Sequence, residues 1–93
     1  MKTATVCIGN SDNKLTQQEW HKFIHEINNA VTLYTFATYF NGFSNPDKEF
    51  QNGCWVIGIN EENIDNFEYH IMLIRKQFKQ ESIAFVYGDT KLV

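Results

Sequence analysis

The strongest local signal in the sequence is a helix start that follows a short strand and a polar turn. Thr16 and Glu19 have the spacing of a capping box, in which each side chain accepts a hydrogen bond from the other residue's unpaired backbone N–H. Leu15 and Trp20 lie at the two positions of a hydrophobic staple, which fixes the direction in which the chain enters the helix. These signals predict that a helix begins at Gln17 and that the polar residues before it form a turn.

The other elements are predicted from the period of the apolar residues and from turn-forming residues. Alternation over short apolar stretches indicates strands, and recurrence at every third or fourth position indicates helices. The segment Asn41–Gly53 contains the only proline, which together with its glycines predicts a long loop. The predicted strands are Thr3–Ile8, Val31–Phe40, Cys54–Ile59 and Ser82–Tyr87, and the predicted helices run from Gln17 to about Ala30 and from a cap at Asn60 to the basic residues around Lys79.

This order of elements predicts a single α+β domain, residues 1–93, with a ferredoxin-like βαββαβ fold. Its two amphipathic helices would cover one face of a four-stranded antiparallel sheet. We expect the first and third strands to be central and parallel, so that their C-terminal ends lie side by side. The other face of the sheet would carry aromatic residues as well as threonine and cysteine. Such a face favours sheet-to-sheet pairing of two copies of the chain, so we expect a homodimer or larger homo-oligomer.

Composition argues against several classes of protein. The chain is 43% hydrophobic and 15% aromatic, as expected of a folded domain rather than a disordered segment. Its formal net charge is -3 and its basic residues are scattered, which argues against nucleic-acid and membrane-surface binding. We expect no secretory signal, and Cys7 and Cys54 lie in apolar strands. The protein is therefore predicted to be cytoplasmic, with two buried free thiols and no cofactor.

A ligand site is predicted where the polar turn and the start of the second helix would meet. Turns and helix N-termini gather backbone N–H groups, and the helix dipole favours an anion there. A lysine in the turn would supply positive charge, and amide and hydroxyl side chains would supply hydrogen bonds. We therefore expect a non-catalytic protein that binds a small phosphorylated or nucleotide-like molecule. The predicted ligand-binding residues are Gly9, Asn10, Ser11, Asp12, Asn13, Lys14, Asn60 and Ser82.

Other interpretations of the same residues stay open. The turn also fits a purely structural role, because capped helices are more common than anion sites. A protein-interaction module that binds a host protein would use the sheet face or the Asn41–Gly53 loop. A divalent cation could be held by Asp12 together with Glu61 or Glu62 at the start of the second helix. His21 and His25, four positions apart on one helix, could hold a metal and would then make the protein a small hydrolase.

Three stretches of the chain resemble small uncharacterised proteins of bacteria and their phages. They are Ile8–Trp20, which reads IGNSDNKLTQQEW, the pair Cys54-Trp55, and Glu81–Ala84. The resemblance would cover most of the chain, but it brings no activity with it. It implies a phage or mobile-element origin and an action by binding, either by sequestering a host signalling nucleotide or by blocking a host protein.

Overall fold

The computed structural model describes residues 1–10, 14–44 and 51–93, which form four strands and two helices. The predicted α+β class, with its four-stranded antiparallel sheet and two helices, is confirmed, and the order of elements is consistent with the ferredoxin-like pattern. The elements are β1 (Lys2–Gly9), α1 (Gln17–Tyr34), β2 (Ala37–Ser44), β3 (Asn52–Ile59), α2 (Glu61–Gln77) and β4 (Ala84–Asp89).

The four strands form one antiparallel sheet in the order β2-β3-β1-β4. The central strands β1 and β3 run in opposite directions, with Gly9 opposite Asn52 and Lys2 opposite Ile59. The expectation that these two strands are parallel is therefore wrong. Helix α1 carries the chain back across the sheet, so that β2 runs in the same direction as β1. The chain then reverses between β2 and β3, which makes β3 antiparallel to both β1 and β2. The C-terminal end of β1 consequently lies beside the start of β3.

Helix α1 begins at Gln17 as predicted, but it continues past Ala30 to Tyr34. Val31 is buried on the core side of this extension, and the Tyr34 ring lies 6.0 Å from the Phe67 ring on α2. The predicted strand Val31–Phe40 is therefore wrong over its first part, since β2 begins only at Ala37. Burial of the last helical turn against α2 outweighs the weak local preference of these residues for a strand.

Strands β2 and β3 both extend into the segment Asn41–Gly53, which was predicted to be a loop. Strand β2 continues to Ser44, and β3 begins at Asn52 rather than at Cys54. The Phe43 ring meets the Trp55 ring edge-on, with 5.5 Å between centroids. Residues 45–50, which include the predicted Asn45-Pro46-Asp47 turn, lie outside the described residues.

Both helices pack on the same face of the sheet, and one apolar core lies between them and the strands. The fully buried Trp55 of this core donates a hydrogen bond from its indole N–H to Oδ1 of Asn28 on α1, 2.7 Å long. The rings of Phe23 and Phe78 stack at 5.0 Å and join the two helices at one end. The buried apolar residues are Ala4, Val6, Ile8, Leu15, Trp20, Phe23, Ile27, Ala30, Val31, Trp55, Ile57, Ile59, Ile64, Phe67, Ile71 and Ile74.

Candidate functional site

Asn10 is the residue of the predicted ligand site that directly follows β1. Its side chain is hydrogen-bonded to Leu15 and to Gln51. Its side chain is 1% exposed. Its Nδ2 donates to the Leu15 carbonyl at 3.1 Å and to Oε1 of Gln51 at 3.0 Å. Its Oδ1 accepts from the Leu15 backbone N–H at 3.0 Å. Both donors of this amide are therefore used within the protein, in a structural role.

Gln51, the hydrogen-bond partner of Asn10, was not predicted as a site residue, because it lies in the segment predicted to be a loop. It is fully buried, and its side chain exchanges hydrogen bonds with Gln17 at 2.8 and 3.0 Å. Its backbone carbonyl accepts from the Asn10 N–H at 2.8 Å. The two buried amides thus join the end of β1, the start of β3 and the first turn of α1. No local pattern in the sequence marks Gln51, since its role depends on strand pairing.

The capping box at the start of α1 is present as predicted. The Glu19 backbone N–H donates to Oγ1 of Thr16 at 3.1 Å, and the Thr16 N–H donates to Oε1 of Glu19 at 3.0 Å. These bonds to Thr16 lower the pKa of Glu19, because they stabilise its charged form. Glu19 is therefore a carboxylate at neutral pH, on the edge where the ligand site was predicted.

Lys14 lies beside a recess of about 330 Å³ between the start of α1 and the end of α2. Its Nζ is 3.4 Å from Oε1 of Glu81, in an exposed ion pair. Lys79, which also lines the recess, has a φ of 55°. This left-handed backbone turns the chain as α2 ends. The recess is lined by Lys14, Leu15, Glu19, Gln77, Phe78 and Lys79.

The predicted ligand residues do not all come together. Asn60 precedes α2 at the Lys2 end of the sheet, because Ile59 pairs with Lys2, and it is therefore remote from Gly9. Its side chain makes no capping hydrogen bond. Ser82 does lie at the Gly9 end, since Ala84 pairs with Cys7. Residues 11–13 of the predicted site lie outside the described residues.

One face of the sheet is left uncovered by the helices. The strand register assigns a row of residues from all four strands to this open face, and none of them carries a charge. Val86 on it is 67% exposed. We define the open face as Thr3, Thr5, Cys7, Ala37, Phe40, Gly42, Cys54, Val56, Gly58, Ala84, Val86 and Gly88.

Aromatic rings at the β2 side lie over glycines of the open face. A register shift between Thr38 and Phe40 allows this arrangement. A Cβ added to Gly58 would come within 2.6 Å of the Tyr39 hydroxyl and 2.7 Å of the Phe36 ring. The side chains of Phe36, Tyr39 and Phe40 are nevertheless about half exposed. Glycines thus make room for rings that remain accessible from solvent.

Cys7 and Cys54 lie directly opposite each other on the open face. Their sulfur atoms are 3.5 Å apart, and both thiols are free. Each is half-buried rather than buried as the sequence analysis expected, because the helices pack on the other face. Burial, followed by the hydrogen bond to Cys54, raises the pKa of the Cys7 thiol above its ordinary value.

A groove of about 500 Å³ lies between α2 and the edge strand β4. Apolar and aromatic side chains line it, among them Tyr69, Met72 and Phe85, together with charged ones such as Glu68 and Arg75. No pattern in the sequence predicted this groove. Its residues come from two elements whose packing the periodicity alone does not specify.

Residues 1–10, 14–44 and 51–93 contain no cluster of side chains that could bind a metal ion. No three His, Cys, Asp or Glu side chains there lie close enough together to hold one ion. His21 and His25 are both exposed on α1. Asp12, the carboxylate of the other predicted metal site, lies outside the described residues.

Comparison with known proteins adds no family. No protein-family model matches the chain, and no curated protein is significantly similar to it in sequence. Within the part of the chain that the structure describes, neither helix is long and apolar enough to cross a membrane.

Proposed function

We propose that this chain is a small ferredoxin-like binding protein, rather than an enzyme, and that it acts in the cytoplasm through its open sheet face. The observation that carries this proposal is a four-stranded face on which none of the described residues is charged. Phe40 and Val86 are exposed on it, and the exposed rings of Phe36 and Tyr39 lie over its Gly58. Four strands about 4.8 Å apart and about 20 Å long cover roughly 400 Å². Its exposed apolar side chains lie within that area, and contiguous apolar patches on monomers are often binding surfaces.

The occupant we propose for the open face is a second copy of the chain. Nucleic acid would require lysine or arginine on the face, and none is there. The formal net charge of -3 is carried elsewhere on the protein, so two open faces can meet without direct repulsion of like charges. A pair related by a twofold axis also uses the same surface on both partners, which suits a flat face.

The test compares a charge placed on the open face with the same charge placed elsewhere. Val86→Glu puts a carboxylate on β4, and Leu33→Glu puts one on α1, at side chains that are 67% and 68% exposed. Sedimentation velocity over a range of concentrations would measure the subunit number. We expect a dimer for the wild type and for Leu33→Glu, and a folded monomer for Val86→Glu. A wild-type monomer at every concentration up to the solubility limit would overturn the proposal.

A second candidate function is binding of a small phosphorylated molecule at the recess beside Lys14. Two lysines, Lys14 and Lys79, line this recess, and the first turn of α1 with its backbone N–H groups adjoins it. Glu19 lines it as well, and its charge would oppose an anion placed on that side. The anion would therefore bind toward the two lysines, and it would compete with Glu81 for Lys14.

Native mass spectrometry of gently purified protein tests this second candidate. We expect extra mass that disappears on denaturation, and we expect it to be lost when Lys14→Ala and Lys79→Ala are combined. Lys91→Ala is the matched control, because Lys91 follows β4 at the opposite end of the sheet. Wild-type protein without extra mass, even after incubation with a nucleotide extract, would contradict this function.

A further inference from the structure

The two cysteines occupy adjacent positions that a disulfide can join. Cys7 on β1 faces Cys54 on β3, and the Cys7 thiol donates a hydrogen bond to the Cys54 sulfur, with 3.5 Å between the two atoms. They are 47 positions apart in the sequence, so only the pairing of the central strands brings them together. Sulfurs this close need only small rotations about their side-chain bonds to come within bonding distance.

The hydrogen-bonding pattern of the sheet favours this particular pair. The Asn10 N–H donates to the Gln51 carbonyl, which makes residues 10 and 51 a hydrogen-bonded pair. Such pairs alternate with non-hydrogen-bonded pairs along an antiparallel ladder. The register between β1 and β3 has no shift, so Cys7 and Cys54 form a non-hydrogen-bonded pair. In these pairs the Cα atoms are about 4.5 Å apart, which lies within the range that disulfides span.

The surroundings of the pair leave it open to a small reagent. Gly42 lies beyond Cys54 in the same row, and Ala84 lies beyond Cys7. Ala84 is exposed on one side of the pair, whereas on the other side the Phe40 ring lies against Gly42. The two cysteines line a recess of about 470 Å³, and each is half-buried.

We propose that Cys7 and Cys54 are a redox modification site, at which a small disulfide such as oxidised glutathione converts the two thiols into one intramolecular disulfide. One cysteine, as its thiolate, attacks a sulfur of the oxidant, forms a mixed disulfide and expels one glutathione thiolate. The second cysteine then attacks the protein sulfur of the mixed disulfide and expels a second glutathione. The two thiol protons pass to the two glutathiones, the protein sulfurs are oxidised, and the oxidant is reduced.

The experiment measures the redox state of the intact protein in defined mixtures of reduced and oxidised glutathione. Reduced protein is equilibrated in each mixture, quenched with acid, alkylated under denaturing conditions and weighed by mass spectrometry. We expect a single chain that has lost the mass of two hydrogen atoms and takes up no alkyl groups, with full reversal by dithiothreitol. In the single variants Cys7→Ser and Cys54→Ser, the one remaining cysteine cannot form an intramolecular disulfide. Each chain should therefore carry either one glutathionyl group or one alkyl group.

Two results would overturn the inference: two alkylated thiols in every mixture, or two glutathionyl groups on one chain. The proposed dimer would cover the cysteine pair, because Cys7 and Cys54 belong to the open face, so the test includes a monomeric variant. Val86→Glu, designed above as a monomer, is run beside the wild type. An intramolecular disulfide in either protein supports the site whatever the subunit number, and its absence from both contradicts the site even if the dimer is present.

Discussion

Asn10 and Gln51, which are 41 positions apart in the sequence, share a hydrogen bond of 3.0 Å in the interior of the protein. Through it, the residue that follows β1 is joined to the residue that precedes β3. Asn10 therefore belongs to a buried polar network. Such networks are sensitive to single substitutions, since each lost partner leaves a buried polar group without a hydrogen bond.

Replacing Asn10 by alanine should destabilise the fold by about 2–3 kcal/mol, because it leaves the Leu15 backbone N–H and carbonyl without their partner. Urea denaturation followed by circular dichroism would measure the loss in the free energy of unfolding. Asn66→Ala, at an exposed position of α2, serves as the control and should change stability by about 0.5 kcal/mol or less. Equal effects of the two substitutions would refute the structural role assigned to Asn10.

Two neighbouring asparagines on α1 offer a second test. Asn28 accepts the indole N–H of the fully buried Trp55, whereas Asn29 is exposed. Both substitutions to alanine change helix propensity by the same amount, so the difference between them isolates the hydrogen bond. We expect Asn28→Ala to be about 1–3 kcal/mol less stable than Asn29→Ala in urea denaturation. Identical midpoints for the two variants would show that the indole contact contributes nothing.

The capping box predicts a measurable loss at Thr16. Thr16→Ala removes the side-chain oxygen that accepts the Glu19 backbone N–H, which should cost about 1 kcal/mol in the free energy of unfolding. Thr32→Ala, at an exposed position inside the same helix, is the control and should cause no loss, since alanine is the better helix former. A Thr16→Ala variant as stable as Thr32→Ala would mean that the helix start depends on packing alone.

The pKa of Cys7 predicts how disulfide formation depends on pH. Burial raises this pKa, so the Cys7 thiol binds its proton more tightly than an ordinary thiol and is protonated at neutral pH. Exchange proceeds through the thiolate, so the rate of attack by Cys7 should increase with pH and should still be increasing at the pH at which an ordinary cysteine thiol is half ionised. Exchange reactions with oxidised glutathione, quenched with acid after a series of times at each pH, would measure this rate. A rate that levels off below that pH would contradict the raised pKa.

The start of α1 was predictable because its determinants are local. Thr16, Glu19 and the flanking apolar residues lie within one helical turn, and their hydrogen bonds form as predicted. The end of the same helix was not predictable, because the residues up to Tyr34 remain helical through contacts with α2. A strand-like composition over Val31–Phe40 could not reveal that contact.

The candidate site was likewise only partly predictable from the sequence. The alternation of β1 placed Thr3, Thr5 and Cys7 on one face, and the structure leaves that face open. Which residues stand beside them was decided by strand direction. Antiparallel central strands bring Gly9 to Asn52 and separate it from Asn60, the opposite of what parallel strands would do.

By itself, the sequence determined the α+β class, the order of the elements and the start of α1, since these follow from local hydrogen bonding and from the spacing of apolar residues. Only the tertiary structure decided that Gln51 supports the turn and that Cys7 faces Cys54. Both pairings depend on the direction and register of β1 and β3. Direction and register are set by how the whole chain packs its helices on one face, and no short stretch of residues encodes them.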